Sequence, residues 1–345
     1  MMSMSRMRRV SRMRCVRVML LPMAALLAAA GAGAALAAEG AEESAPLREG
    51  AGALAAEEEG AAHPLPPARL EALKASIEAL PGMREARVGV ALLIDGRQEL
   101  LLGDRPDYPL MSVMKLPLAM AVLDRLEREG RRLDERVPFT GEELDAETWS
   151  PMREAYPEGC AELTLRDLLL YALQQSDNNA TDLLFDRVVS PREVTDYLRG
   201  LGLDQQAIVF TEREMGEKPQ RCLQNTMSPR CAVQLMEMLL SRPVLRAENR
   251  DFLLEALAGC RTGQNRIAAG LKEIPVEAMG HKTGTGPELP GRGLVGINDL
   301  AFVRLANGHR YCLAVFVKET SLAPAEAEAL IAELSSLVAR ALSEL

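Results

Sequence analysis

Histidine is scarce in this chain: three occur, His63, His281 and His309. No two of them stand one helical turn apart, so the paired-imidazole pattern of a zinc hydrolase is missing. Cysteine is almost as sparse, with six in all. Cys160, Cys222, Cys231, Cys260 and Cys312 follow the N-terminal segment in spacings that match no metal motif, and an odd count of five leaves at least one thiol unpaired even where disulfides are permitted. Nothing in the pattern calls for a metal or an organic cofactor. An excess of positive charge is missing too, since the formal net charge is −9. The only concentrated basic stretch is at the start, where Arg6, Arg8, Arg9, Arg12, Arg14 and Arg17 occur with no acidic residue among them. No internal repeat is visible.

Val18 to Ala37 follows as an apolar, small-residue run that ends in Ala35-Leu36-Ala37, a small-x-small cleavage pattern. Residues 1–37 therefore read as a secretory signal peptide rather than a stable membrane anchor. Cys15 precedes the apolar run, the wrong side for lipidation. Cleavage removes six arginines and no acid, taking the formal charge from −9 to −15. So acidic a chain argues against nucleic acid and anionic membranes as partners. Residues 38–64, rich in Ala, Glu and Gly, have too few large apolar side chains to bury a core and read as a flexible linker.

The remaining residues suffice for one large domain or two halves that share an interface. Pro66–Leu80 carries Leu70, Leu73, Ile77 and Leu80 at helical spacing. Arg87–Asp95 and Gln98–Leu102 read as strands joined by an Asp95-Gly96 hairpin turn. The middle is helical: one helix through Leu116, Met120, Leu123 and Leu126; one capped by Thr164; one from about Asn179; one started by Ser228-Pro229; one over Asp251–Leu257. Strands return at Val276–Thr283, Gly293–Leu305 and Arg310–Lys318, and Pro324–Leu342 closes as a helix. The expected fold is α/β: a largely antiparallel sheet flanked by helices, built from 65–108 and 267–345, with an all-helical half over 109–266.

Three motifs carry chemistry. In Ser112-Val113-Met114-Lys115 the serine and lysine share one helix face, and Pro117 limits how early the helix begins. Ser112 then lies where free N–H groups favour developing negative charge. A serine hydroxyl needs a base in contact, and a desolvated Lys115 can serve. Ser176-Asp177-Asn178 reads as a plain helix cap or as a site in which Ser176 relays a proton to a leaving nitrogen, Asn178 holds a substrate carbonyl and Asp177 braces the loop. Lys282-Thr283-Gly284-Thr285-Gly286 ends a strand. Its Gly/Thr edge admits a substrate amide alongside, with Lys282, Thr283 and Thr285 facing a substrate carboxylate. The N–H groups of Ser112 and Thr285 would make an oxyanion hole, worth about 3–4 kcal/mol in related chemistry.

Together, in this order, the motifs resemble those of class A serine β-lactamases and penicillin-binding proteins. From Arg69 to the C-terminus the chain resembles a class A serine β-lactamase. Trp149-Ser150-Pro151 is similar to the family's aromatic-Ser-Pro segment, which implies Trp149 at the pocket mouth. Arg261-Thr262-Gly263-Gln264-Asn265-Arg266 is similar to the segment whose final arginine helps bind the substrate carboxylate, which implies Arg266. The resemblance implies a deacylating glutamate on a loop after the Ser-Asp-Asn triplet, and the candidate loop is Thr211-Glu212-Arg213-Glu214-Met215-Gly216. Glu212 fits the family spacing because Met215 fills the apolar slot, whereas Glu214 would put Glu217 there. Gly216 departs from the asparagine many members carry, and sequence alone leaves open whether Cys222 and Cys231 are bridged. The resemblance implies a periplasmic monomer that hydrolyses small β-lactams, with a slight lean toward cephalosporins from Thr285 and the Trp149 segment. The alternatives are a D-Ala-D-Ala peptidase or a non-catalytic module.

Overall fold

The computed structural model describes residues 64–344; the expected signal peptide and almost all of the expected linker lie outside them. Five strands form one sheet: β1 Arg87–Ile94, β2 Gln98–Leu102, β3 Val276–Thr285, β4 Ile297–Leu305 and β5 Arg310–Lys318. Their order is β2-β1-β5-β4-β3, and every pairing is antiparallel. The β1–β2 turn is tight because Asp95 and Gly96 both take positive φ, 49° and 65°. Asp and Gly tolerate that geometry, which matches the twist of the flanking strands.

β1 is buried along all but its first residue, because both faces of the sheet are covered. Ala91 and Leu93 join one apolar cluster while Val90, Leu92 and Ile94 join another, the alternation a pleated strand imposes. The second cluster is roofed by α1 Pro67–Glu78 and, late in the chain, by α11 Pro324–Ser343. The first lies toward the helices in between: α2 Lys115–Glu129, α3 Pro151–Ala155, α4 Leu165–Gln174, α5 Asn178–Arg187, α6 Pro191–Gly200, α7 Glu212–Glu217, α8 Pro229–Ser241 and α9 Ala247–Ala258. A short α10 Ile267–Gly270 leads back to the sheet.

The caps explain the helix starts. Thr164 with Asp167 and Ser190 with Glu193 form capping boxes, and Ser228 accepts from the Cys231 N–H. α6, with Ser190-Pro191 at its start, was not expected from the sequence. Two other expectations change. Gly293–Leu305 is interrupted at Val295-Gly296, where Gly286 N–H donates to Gly296 O at 2.8 Å. The segment after Thr211 is a short helix rather than a loop, because Thr211 and Glu214 close a capping box around it.

Candidate active site

The nucleophile motif sits on a 3₁₀ turn, Met111–Met114, which runs into α2 at Lys115. Pro117 is the third residue of α2, within the turn that needs no intrahelical N–H partner. Met111 holds φ +50°, an uncommon value for a side-chain-bearing residue. Ser176, in the second motif, does the same at +58°. Two of the four positive-φ residues other than glycine among the described residues thus flank one site.

The turn is clamped from two sides. Leu110 N–H donates to Asn225 O at 2.8 Å, and Asn298 Nδ2 donates to Pro109 O at 2.7 Å and Leu110 O at 3.2 Å. A small ribbon pairs Tyr108–Pro109 with Thr226–Met227, which pairs in turn with Gln206–Ala207. On the third side β3 approaches so closely that a Cβ on Gly284 would meet Leu110 O at 2.6 Å and the Ser112 nitrogen at 3.2 Å. Only glycine permits that approach. It places the open edge of β3, which has one neighbour in the sheet, beside the half-buried Ser112.

Lys115 is fully buried. Its Nζ donates to Ser176 O at 2.7 Å and Asn178 Oδ1 at 2.6 Å, and stands 3.0 Å from Glu212 Oε1. Two of these contacts are hydrogen bonds and the third is a charge contact. Lys115 makes no hydrogen bond to Ser112, although both line the same turn. Asn178 is held at both ends of its amide, since Nδ2 donates to Thr148 Oγ1 at 2.8 Å. Asp177 is a brace: it accepts from Ser150 Oγ at 3.0 Å, Met152 N–H at 2.7 Å and Ala180 N–H at 2.8 Å. Burial nonetheless raises its pKa.

Lys282, on β3, is also fully buried and donates to Ser176 Oγ at 3.1 Å and Thr283 O at 2.9 Å. Burial drives its pKa down to about 7, and the neighbouring Lys115 adds to the fall; Cys260, Glu212 and Asp299 pull the other way. Ser176 Oγ therefore sits at the end of the second lysine while its backbone oxygen caps the first. Thr283 Oγ1 lies 2.5 Å from Thr262 Oγ1. Thr285 is exposed, and its Oγ1 accepts from Arg266 at 2.6 Å. Arg266 itself is buried. It donates to Gly284 O, Asn298 O and Thr285 Oγ1 and is paired with Glu328 at 3.0 Å. It thus stands behind the strand edge and orients Thr285. Trp149 is 59% exposed at the rim, tethered by Nε1 to Gln175 O at 2.8 Å.

Of the two acids weighed from the sequence, Glu212 is the one beside Lys115, whereas Glu214 accepts from Thr211 N–H at 2.9 Å in the capping box. Glu212 Oε1 is buried and has no hydrogen-bond partner; its contact with Lys115 is a charge contact off the bonding axis. Sequence reasoning missed what holds this glutamate. Asp182, 1% exposed on α5, accepts from Glu212 N–H at 2.9 Å and Arg213 N–H at 2.8 Å. Burial first, then the Glu212 charge, raises the Asp182 pKa to about 7 against the pull of Arg213 and the two N–H groups. Asn225 clamps the approach, accepting from Val209 and Phe210 N–H at 2.8 and 2.9 Å. The available signal was an acid, Asp182, one turn after Asn178 on the same helix. Gly216 has room for a side chain, with Asp145 Oδ2 3.8 Å from where its Cβ would sit. No disulfide joins Cys222 to Cys231 or any other pair among the described residues.

A half-buried serine, two buried lysines, a second serine hydroxyl and a carboxylate, assembled where an antiparallel sheet meets a helical layer, define a serine hydrolase of the penicillin-recognising kind. The chain belongs to the β-lactamase enzyme family, whose description matches residues 71–342. It is a class A serine β-lactamase. It is 33% identical over 276 residues to a β-lactamase of Phocaeicola vulgatus, covering 80% of this chain and 85% of that one. It is 31% identical to the extended-spectrum β-lactamase PER-1 of Pseudomonas aeruginosa, over 76% and 85% of the two chains. Among solved structures, the TLA-3 extended-spectrum β-lactamase superposes with a TM-score of 0.76 at 31% identity, covering 79% of this chain and 99% of that one. A class A β-lactamase from Bacteroides cellulosilyticus DSM 14838 gives 0.75 at 29% identity, over 80% and 99%.

Proposed function

We propose that this β-lactamase opens the lactam ring of penicillins and cephalosporins through an acyl-enzyme on Ser112. Ser112 Oγ bonds to the lactam carbonyl carbon, and its proton leaves to the Lys115–Glu212 pair. The Ser112 and Thr285 N–H groups receive the developing oxyanion. As the carbon–nitrogen bond breaks, Ser176 relays the proton taken from Ser112 to the departing nitrogen, so that the Lys115–Glu212 pair is restored; Lys282, 3.1 Å from that hydroxyl, polarises it. Lys282, Thr283 and Thr285 face the substrate carboxylate, with Arg266 fixing Thr285, and Asn178 and Trp149 bound the rest of the ligand. Glu212 then activates the water that frees the product.

The observation that carries this reading is the Glu212 carboxylate, with a buried oxygen that no hydrogen bond satisfies, 3.0 Å from the ammonium that also binds the Ser176 loop. Such an oxygen is a ready acceptor for a water proton. Gly216 supplies no side chain to help hold that water; Asp145 is the nearest polar group to that position.

In the same reading residues 1–37 are a cleaved leader that delivers the chain to the periplasm and 38–64 a linker. The mature protein works as a monomer of two halves, 65–108 with 267–345 and 109–266. No helix among the described residues is long and apolar enough to cross a membrane. The test is Glu212→Gln. The variant should acylate with nitrocefin and accumulate the adduct in intact-mass spectra, while the unaltered protein turns over steadily. Unimpaired turnover by the variant would place the base elsewhere, and stoichiometric acylation of the unaltered protein would mark a peptidase-like acyltransferase.

A further inference from the structure

Gly216 leaves a gap on the helix face that carries Glu212. The two residues are four apart on α7, so their positions share one side of the helix. Apart from the helix itself, Asp145 Oδ2 is the one heavy atom among the described residues within 4 Å of where a Gly216 Cβ would sit, at 3.8 Å. Asp145 Oδ1 accepts from Glu147 N–H at 2.9 Å, whereas Oδ2 has no donor among the described residues. The Asp145 backbone is held at both of its polar groups. Its N–H donates to Asn179 Oδ1 at 2.8 Å, and its carbonyl accepts from Asn179 Nδ2 at 2.9 Å. Asn179 is 1% exposed and stands on α5. The same helix carries Asp182, which accepts from Glu212 N–H at 2.9 Å. Two side chains three residues apart on one helix therefore set where both acids stand.

An ordered water needs at least two polar partners. Glu212 Oε1, buried and without a hydrogen-bond partner, is one acceptor. A side-chain amide at position 216 would supply the other, and glycine supplies none. A carboxylate oxygen accepts a water hydrogen as an amide oxygen does, and Asp145 Oδ2 is the oxygen that borders the gap. Asp145 has no hydrogen bond or ion pair with Ser112, Lys115, Ser176 or Lys282 among the described residues. Its reach is confined to the side of the site where water meets Glu212.

We propose that Asp145 is the second holder of the deacylating water, in the place that Gly216 leaves empty. This rests on the lactamase reading, with Glu212 as the base. The water donates one hydrogen to Glu212 and the other to Asp145 Oδ2, which leaves a lone pair for the ester carbon. Glu212 takes its proton as the new oxygen–carbon bond forms. The bond from that carbon to Ser112 Oγ then breaks, and the proton on Glu212 returns to Ser112. Asp145 takes no proton; the hydrogen it holds leaves with the product acid. Asn179 acts through Asp145 and is a positioning residue.

The test measures acylation and deacylation separately with nitrocefin, by stopped-flow burst kinetics and by intact mass of the adduct. Asp145→Ala should leave acylation unchanged and slow deacylation on the order of 10- to 100-fold, so that kcat and KM fall together and kcat/KM holds. Asp145→Ser, which keeps an acceptor for Glu147 N–H, should do the same if circular dichroism shows the alanine variant unfolded. Asp145→Asn retains an acceptor oxygen and should keep most of the rate. Gly216→Asn added to Asp145→Ala should restore deacylation at least about tenfold. Deacylation at the unaltered rate in Asp145→Ala overturns the proposal and leaves the Glu212 reading intact. An equal loss of acylation in a folded variant, with no rescue by Gly216→Asn, marks a purely structural role and overturns it too. A stalled acyl-enzyme in the unaltered protein overturns both.

Discussion

Asp182→Asn should remove a pH-dependent part of the stability of this protein. Asp182 is a buried acid whose pKa rises from 3.8 to about 7, through burial first and the Glu212 charge second. The folded state therefore binds this proton more tightly than the unfolded chain does. The stability it contributes is fully present below about pH 4 and is lost as pH rises through about 7, so stability falls with rising pH across that window. At about 1.36 kcal/mol per decade, the shift corresponds to an upper bound of about 4 kcal/mol. Asparagine cannot ionise, keeps one acceptor for the two N–H groups of Glu212 and Arg213, and carries none of this slope. Lys282 and Cys260 titrate in the same region, but they are present in both proteins and cancel in the difference. Thermal melts of both proteins from about pH 5 to about pH 8 should show the wild type losing up to about 3 kcal/mol relative to the variant, since about two of the three decades fall in that window, at roughly 2–4 °C of Tm for each kcal/mol. Parallel curves across that range would refute the reasoning, because they would mean that the carboxyl is as solvated as in the unfolded chain.

Two further outcomes follow from contacts around Ser112. Gly284→Ala puts a methyl 2.6 Å from Leu110 O and 3.2 Å from the Ser112 nitrogen. Strand and nucleophile turn must separate, so kcat/KM on a chromogenic cephalosporin should drop on the order of 100-fold, with about 1–3 kcal/mol lost from stability; a wild-type rate would show that the approach is not needed. Asp177→Ala leaves the Ser150 hydroxyl and the Met152 and Ala180 N–H groups without their acceptor. Chemical denaturation should show a loss of at least about 3 kcal/mol, and a loss below about 1 kcal/mol would mean that water replaces the brace.

Much of the scaffold was legible because its signals are local. Asp95-Gly96 demands positive φ at both residues, Thr164 and Ser228 cap helices through their own hydroxyls, and the Val/Leu/Ile runs of β1, β4 and β5 have one sensible home in a doubly covered sheet. The choice of Glu212 over Glu214 rested on spacing; in the fold Glu214 closes a capping box and Glu212 lies beside Lys115. The Thr211 helix was read as a loop because six residues carry too little periodicity to register. The break at Val295-Gly296 was hidden because it is set by what packs there: the nucleophile turn lies against Gly296.

By itself the sequence determined which chemistry the chain can carry, since serine, lysine, hydroxyl, amide and acid in that order leave few reactions open. Only the tertiary structure decided how those groups meet. Lys115 faces Ser176, Asn178 and Glu212, Arg266 stands behind Thr285, and Asp182, Asn225 and Asn298, silent as motifs, hold the segments around Ser112 in place. The physical reason is distance along the chain. A motif records what neighbours within a few residues do to one another, whereas burial, charge pairing and backbone clamps at this site join segments far apart in sequence, and those contacts exist only once the sheet and the helical layer have closed around Ser112.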